Sequence, residues 1–205
     1  MPPPADAERT VVLVEGVSDR RALAALDVRL GRPLHAAGVE IVSMDGVTNL
    51  RHALAGLRGG PAGSPLPRVL GLFDVGELPT VVRMLLEAGF PGAEVFARPV
   101  HDVSEVEVLE RLGFFACVLD LEDELIRAVG ADLVEEVLLA TGELDLFRKF
   151  QNQPAQRERP VEAQLRRFAG TTAGRKLRFA EQLVDVLPVD RVPSPLLALV
   201  EAAVS

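Results

Sequence analysis

Residues 10–19 read TVVLVEGVSD, and this stretch decides the fold. Its first five residues form an unbroken, largely β-branched run, which is typical of a strand buried on both faces. The run ends at Glu15, and Ser18 or Asp19 can cap a helix that follows. Apolar residues then recur at helical spacing until Gly31, which stops the helix. The sequence therefore begins with a predicted strand that leads directly into a helix.

Strand and helix signals alternate from this unit outward. Further strands are predicted at residues 39–44, 69–73, 93–97 and 114–119, and intervening helices at 48–57 and 79–88. Strands that alternate with helices favour a mostly parallel sheet covered by helices on both faces. We therefore predict an α/β fold.

The pattern changes to helices alone after Asp120. Helices are predicted at residues 121–129, 132–141, 143–151, 161–169, 174–186 and 194–204. The change divides the chain into an α/β core at 8–119 and an all-helical C-terminal part at 120–205, called the helical region below. Two stretches rich in polar residues, Gly or Pro, at 59–67 and 151–160, predict surface loops.

Composition restricts the kinds of site that the chain can form. The 205 residues are 48% hydrophobic, enough for one compact domain with an appendage. Cys117 is the single cysteine, which excludes an internal disulfide and a Cys-based zinc site. The three histidines are scattered along the chain, which argues against a His-rich metal site. No secretory signal, membrane-spanning run or P-loop motif is present, so we expect a cytoplasmic protein without a membrane partner.

Acidic residues follow two of the predicted strands. Glu15 ends the first strand and Asp74 ends the strand at 69–73, and ligands of open parallel sheets bind at this edge. Asp19 lies one turn after Glu15, and Glu77 lies one turn after Asp74. Carboxylate oxygens suit Mg²⁺ or Mn²⁺, so one or two such ions are the expected cofactors. Alternatively, Glu15 and Asp74 simply cap loops or the next helix.

Two helical residues are candidates to complete this site. Glu122 falls within the apolar arc of its predicted helix, whereas Asp120, Asp123 and Glu124 fall outside it. A buried carboxylate must be paired, protonated or bound to metal; the alternative for Glu122 is a salt bridge to an arginine. Lys176 lies on the inward stripe of the helix at 174–186, where its ammonium group can stabilise the charge on a transferring phosphate. Alternatively, its aliphatic chain packs on the core while the ammonium group reaches water.

Charge is strongly segregated along the chain. The net charge is −8, yet residues 148–178 hold nine Lys and Arg against two Glu. This basic stretch can bind the phosphates of a nucleic acid, with DNA the expected form. The alternative is a solvated surface whose arginines pair within the protein. The candidate contacts are Arg166, Arg167, Arg175 and Arg178.

Four segments resemble, in the same order, the Toprim half of the OLD (overcoming lysogenization defect) family of nucleases. They are VVLVEGVSD, VLGLFDVGE, VLDLEDELIRAVG and a late GRK, and the resemblance covers about residues 10–187. The resemblance implies a Toprim-like fold. Full OLD proteins place an ABC-type ATPase before this domain, so the chain resembles a stand-alone Toprim protein, with a separately encoded ATPase as a possible partner.

The resemblance also implies roles for individual residues. Glu15 matches the general acid/base or metal ligand of the first motif, to which Asp19 also belongs, and Asp74 matches the first Asp of a DxD motif. The second Asp is replaced by Gly76, and Glu77 stands one residue later. Glu122 matches a second metal ligand, and Lys176 matches a lysine found late in these domains.

These observations lead to two functional hypotheses. The first is metal-dependent cleavage or transfer at phosphodiesters, in which Glu15 and Lys176 are catalytic. The second, suggested by Gly76, is a degenerate Toprim module that binds nucleic acid or a nucleotide without catalysis. A helical interaction protein is a third interpretation, but it leaves the acidic strand ends unexplained.

Overall fold

A computed structural model describes residues 9–31, 34–58, 67–98 and 103–205. The first part of the chain alternates strands and helices: β1 (Thr10–Val14), α1 (Val17–Leu30), β2 (Val39–Ser43), α2 (Leu50–Arg58), β3 (Arg68–Asp74), α3 (Leu78–Glu87), α4 (Glu105–Arg111) and β4 (Phe114–Cys117). Short 3₁₀ helices lie at Val47–Asn49, Val75–Glu77 and Ala93–Ala97. The predicted loop at 59–67 lies almost wholly outside the described residues.

The helical region contains six α-helices among the described residues. They are α5 (Leu121–Val129), α6 (Ala131–Ala140), α7 (Leu144–Gln151), α8 (Val161–Ala169), α9 (Ala173–Val186) and α10 (Ser194–Val204), with a 3₁₀ helix at Val189–Arg191. Each lies within a residue of its predicted position. Within the described ranges, no helix combines the length and the apolar character that crossing a membrane requires.

The four strands form one parallel sheet in the order β2-β1-β3-β4. Alternate side chains of β1 enter two different cores. Val12 and Val14 pack with α1, α5 and α9, whereas Val11 and Leu13 pack with α2, α3 and α4. The sheet is therefore covered on both faces, which confirms the predicted α/β fold with a helical C-terminal part.

The helical region shares the first of these cores. Leu23 of α1 and Leu183 of α9 belong to the same cluster of buried side chains, and Arg29 Nε donates to the Leu187 carbonyl at 2.6 Å. The helices after β4 are thus packed directly on the sheet layer. The division into segments 8–119 and 120–205 stays a prediction.

Two local assignments from the sequence were wrong. The predicted strand at 93–97 is a 3₁₀ helix, because only Ala93 of this run is fully buried and β4 occupies the position beside β3. Helix α4 was not predicted. Ser104 begins it by accepting a hydrogen bond from the Glu107 backbone N–H at 3.2 Å, and S-x-x-E is the signature of a capping box.

The centre of β3 requires a glycine. A Cβ atom added to Gly71 would lie 2.5 Å from the ring of Phe114, its partner across the β3-β4 ladder. Gly71 therefore allows the large ring to lie against the backbone of β3. By contrast, a Cβ at Gly56 of α2 would contact nothing within 4 Å.

We predict that Gly71→Ala destabilises the fold by about 1–3 kcal/mol, since the Phe114 ring must leave its position. Urea unfolding measures the change. The matched control Gly56→Ala should stabilise the protein by about 0.4–1 kcal/mol, because alanine restricts the unfolded chain without a clash. Equal effects from the two substitutions would show that close packing against Phe114 does not require Gly71.

Candidate functional site

A pocket of about 230 Å³ opens at the carboxyl edge of the sheet. Every strand leads to it: Glu15 follows β1, Asp45 follows β2, Asp74 ends β3, and Asp120 lies just beyond β4. We call it the acidic pocket. Its lining residues are Glu15, Gly16, Ser18, Asp19, Asp45, Gly46, Asp74, Asp120, Leu121, Glu122 and Lys176.

Asp19 has a structural role as well as a place in the pocket. The helix cap is Gly16, and Asp19 stands at the third helical position, where Oδ2 accepts the Gly16 backbone N–H at 2.8 Å. Burial raises the pKa of Asp19, and the hydrogen bond from Gly16 opposes this shift. The pKa of the neighbouring Glu15 is also raised, by burial and by the charges of Asp19 and Glu77.

Asp74 is the strand-end carboxylate whose ionisation is most strongly disfavoured. Burial, followed by the charges of Glu15 and Asp120, raises its pKa to about 7. Asp74 precedes the 3₁₀ turn at Val75–Glu77 without making a side-chain capping bond. Its carboxylate is therefore available to a ligand, and the capping alternative does not hold for this residue.

Gly76 and Glu77 lie in the turn after Asp74. Gly76 is exposed, and a Cβ added there would contact nothing within 4 Å, so the turn has room for an aspartate. Glu77 does not line the acidic pocket, although its charge acts on Glu15. Glu77 is therefore a peripheral member of the predicted carboxylate set.

Glu122 is directed into the protein as its position in the apolar arc predicted. Glu122 is only 3% exposed, and its Oε1 atom has no hydrogen-bond partner. Lys176 Nζ lies 3.8 Å from Oε1, outside hydrogen-bonding distance, so the basic side chain nearest to Glu122 is a lysine and not the arginine of the alternative interpretation. Burial raises the pKa of Glu122 to about 7, despite the opposing charge of Lys176.

Lys176 combines features of both predictions made for it. Its side chain is 52% exposed, but the ammonium group faces the pocket. Burial lowers the pKa of Lys176, and the charges of Glu122, Asp19 and Asp120 outweigh that effect and raise it. Lys176 is therefore a charged lysine at the rim, adjacent to an unsatisfied buried oxygen.

Asp120 was missed as a candidate, because it falls outside the apolar arc of α5. It caps α5, with Oδ1 accepting the Asp123 backbone N–H at 2.8 Å. Its position after β4, equivalent to that of Asp74 after β3, is the sequence signal that would have identified it. Asp123 and Glu124 are buried despite lying outside the arc, and both pair with Arg127 away from the pocket.

The donor atoms of the acidic pocket suit a hard divalent cation. They are carboxylate oxygens, and the unsatisfied Glu122 Oε1 is the kind of buried atom that an ion would neutralise. Among the described residues, however, no three acidic, histidine or cysteine side chains are grouped closely enough to hold a metal ion as they stand. Binding an ion therefore requires rotation of side chains into the pocket.

The four predicted nucleic-acid contacts occupy different environments. Arg175 is 8% exposed and donates to Glu143, the Phe168 carbonyl and Thr171, so we assign it to the packing of the helical region instead. Arg166 pairs with Asp120. Arg167 and Arg178 are exposed, and neither has a hydrogen-bonded or ion-paired partner in the part of the chain that the structure describes.

Other arginines of the basic stretch also pair within the protein. Arg148 forms a salt bridge to Glu135, and Arg157 and Arg159 donate to the backbone carbonyls of Asn152 and Ala155. Ion pairs with carboxylates outside the stretch, made by Arg148, Arg166, Arg175 and Lys176, therefore offset part of the local excess of positive charge. Arg167 and Arg178 stay candidate phosphate contacts.

Comparisons with known proteins agree with this fold. The family model described as overcoming lysogenization defect protein-like, TOPRIM domain, matches residues 8–59. The C-terminal region of the Xanthomonas campestris pv. campestris OLD protein is 25% identical, with a TM-score of 0.64, covering 96% of this chain and 94% of that chain. The search of curated proteins finds no match.

A second solved structure is similar in fold. The C-terminal region of the Burkholderia pseudomallei OLD protein has a TM-score of 0.62 at 20% identity and covers 96% of both chains. The predicted resemblance is confirmed: the chain is similar to the OLD-like Toprim family model over residues 8–59 and to the C-terminal regions of OLD proteins over nearly its whole length. The similarity in fold extends to the segments between the four motifs and after the last of them, since nearly the whole chain is covered.

We predict that Asp74→Asn stabilises the metal-free protein increasingly as the pH rises from about 4 to 7. Aspartate ordinarily titrates near 3.8, whereas Asp74 retains its proton to about pH 7 in the fold. The folded state therefore binds more protons than the unfolded state in this interval, and stability falls as the pH rises. Above pH 7 the difference should be constant.

Urea unfolding in EDTA at several pH values measures this effect. Asp185→Asn is the matched control, since Asp185 is exposed on α9 and does not line the acidic pocket. A difference between wild type and Asp74→Asn that is independent of pH would contradict the raised pKa.

Proposed function

We propose that the protein is a metal-dependent, nuclease-type phosphodiesterase whose reaction takes place in the acidic pocket. The observation that carries the proposal is the convergence of Glu15, Asp74 and Glu122 on one cavity, where Glu122 Oε1 has no hydrogen-bond partner. The comparisons support it. OLD-like Toprim similarity indicates nuclease-type activity on nucleic acid, and Toprim domains generally bind Mg²⁺.

Five carboxylates are proposed as metal ligands, each from a segment at the carboxyl edge of the sheet. They are Glu15, Asp19, Asp74, Glu77 and Glu122. Mg²⁺ or Mn²⁺ bound there would neutralise charge on the scissile phosphate and activate the attacking water. The raised pKa values of Asp74 and Glu122 indicate that these two carboxylates gain most from a neighbouring cation, which would shift them to the ionised form.

Glu15 and Lys176 are the proposed catalytic residues. Glu15 is half-buried, and its raised pKa brings it closer to the range in which a carboxyl group exchanges protons near neutral pH. Lys176 lies at the rim, where its ammonium group can contact a non-bridging oxygen of the phosphate. That contact strengthens as negative charge develops on the phosphate, so it favours the transition state.

The surface beside the pocket is proposed to guide the substrate. Arg167 and Arg178 lie on α8 and α9, the helices that also carry Arg166 and Lys176. Their free guanidinium groups suit the phosphates of a nucleic-acid backbone, with DNA the expected substrate. A separately encoded ATPase is a further proposed partner, on the basis of the OLD resemblance alone.

We predict that wild-type protein nicks or cleaves plasmid DNA with Mg²⁺ or Mn²⁺ and not in EDTA. Glu15→Gln and Asp74→Asn should each reduce the rate by roughly 100-fold or more, because each removes a charged oxygen from the pocket at nearly constant volume. Gel electrophoresis of the plasmid forms gives the rates.

The control for this assay is Asp185→Asn, which likewise removes one carboxylate, here an exposed one on α9 away from the pocket, and should leave the rate unchanged. Retention of full activity by both Glu15→Gln and Asp74→Asn would place the reaction outside the acidic pocket.

The second candidate function is a Toprim module that binds nucleic acid or a nucleotide without cutting. The specific observation in its favour is Gly76, which stands where the motif has a second aspartate. The exposed turn around Gly76 has space for that side chain, so the missing carboxylate can be restored without strain.

We predict that Gly76→Asp lowers the Mn²⁺ concentration for half-maximal cleavage severalfold, because it adds an oxygen ligand beside Asp74. Gly76→Asn serves as the control, since it has similar size without the charge. Under the second function the result differs: wild type binds plasmid without cutting it, and only Gly76→Asp cleaves.

A further inference from the structure

Arg166 connects the helical region to the acidic pocket through Asp120. Its Nε donates to Asp120 Oδ2 at 2.6 Å, while the Asp123 backbone N–H donates to Oδ1 at 2.8 Å. Both oxygens of this carboxylate are therefore held by donors from two different helices, α8 and α5. Since each carboxylate oxygen has two acceptor sites, this arrangement leaves one further acceptor site on each oxygen of Asp120, a residue that lines the pocket.

The backbone that carries Arg166 is firmly anchored. Leu165 and Phe168 are buried in the core shared with the sheet. The buried Gln164 side chain donates to the carbonyls of Gln156 and Arg159 at 2.8 and 3.0 Å, and it accepts from Gln151. Helix α8 is thus fixed both to the core and to the segment before it. Arg166 consequently reaches Asp120 from a rigid support.

The adjacent Arg167 shows that this pairing is specific to one position. Arg167 is exposed and has no hydrogen-bonded or ion-paired partner among the described residues, whereas the Arg166 side chain is 38% exposed and bound to Asp120. One residue of this Arg-Arg pair therefore binds a carboxylate that lines the acidic pocket, and the other faces solvent.

We infer that Arg166 is a positioning residue for the metal site rather than a contact to the nucleic-acid backbone. By fixing the orientation of Asp120, it makes this carboxylate an additional oxygen donor to the ion bound near Glu122. The inference rests on the proposed function and adds a residue to its site. The unsatisfied, buried Glu122 Oε1 in the same cavity indicates where the ion is required.

Two physical effects of Arg166 on metal binding have opposite signs. Its positive charge repels a cation in the pocket, so loss of the charge alone would tighten metal binding. Its hydrogen bond orients a ligand, and loss of such an orienting partner typically weakens metal affinity by about 10- to 100-fold. The direction of the change therefore separates a positioning role from a purely electrostatic one.

The test is a titration of the full chain with Mn²⁺ in the absence of nucleic acid, in which free Mn²⁺ is measured by electron paramagnetic resonance. Arg166→Ala should raise the dissociation constant about 10-fold or more. Arg167→Ala, the matched control, should leave it unchanged. Asp120→Asn retains an acceptor for the helix cap but loses the charge, and should also weaken binding.

The double variant Arg166→Ala, Asp120→Asn decides whether Arg166 acts through Asp120. We expect it to bind Mn²⁺ as weakly as Asp120→Asn alone. Additive losses would overturn the inference, as would unchanged or tighter binding by Arg166→Ala, or no Mn²⁺ binding by wild type. If Arg166→Ala does not fold, as judged by circular dichroism, Arg166→Lys keeps the charge but not the Nε donor and should still weaken binding.

The proposed function can fail separately from this inference. A wild-type protein that binds Mn²⁺ but cleaves no plasmid would refute the proposed catalysis. The effect of Arg166 on Mn²⁺ affinity would still be measured in that protein.

Discussion

Repulsion between carboxylates at one edge of the sheet is the constraint on which the account of this protein depends. Burial together with the mutual repulsion of Glu15, Asp74 and Asp120 raises the pKa of Asp74 to about 7, well above that of a free aspartate. Such an arrangement costs stability in the absence of a cation. A positively charged ligand at that position would remove this cost.

The parallel sheet is what brings these groups together. All four strands run in the same direction, so the residues that follow them meet at one edge, and the register aligns Asp74 with Cys117 three residues before Asp120. The helical region then supplies positive charge to the same edge. Lys176 faces Glu122 and Arg166 binds Asp120, so the helices after β4 form part of the site.

Residue patterns in the sequence were sufficient to predict much of this arrangement. The run before Glu15 predicted β1 to the residue, and the apolar arc of α5 correctly predicted that Glu122 is buried. Periodicity failed at Ala93–Ala97, because five apolar and acidic residues can form either a strand or a short helix, and the choice depends on β4 occupying the place beside β3. Tertiary context decided that element.

Side-chain pairing was the least predictable property. Arg166, Arg167 and Arg175 look equivalent in the sequence, yet one binds Asp120, one faces solvent, and one is buried against Glu143 and Phe168. Local charge density cannot distinguish these outcomes, because the partners lie 46 and 32 residues away in the two paired cases. The separation of structural from surface arginines therefore required the structure.

The most direct test of the central claim is a crystal structure of the protein with Mn²⁺, recorded so that the anomalous signal locates the ion. The account predicts an anomalous peak in the acidic pocket within coordination distance of Asp74 and of Glu15 or Glu122, with these side chains rotated towards it. A pocket without a peak at high Mn²⁺ concentration, in which Asp74 and Glu122 keep their protons or pair with basic side chains, would contradict it.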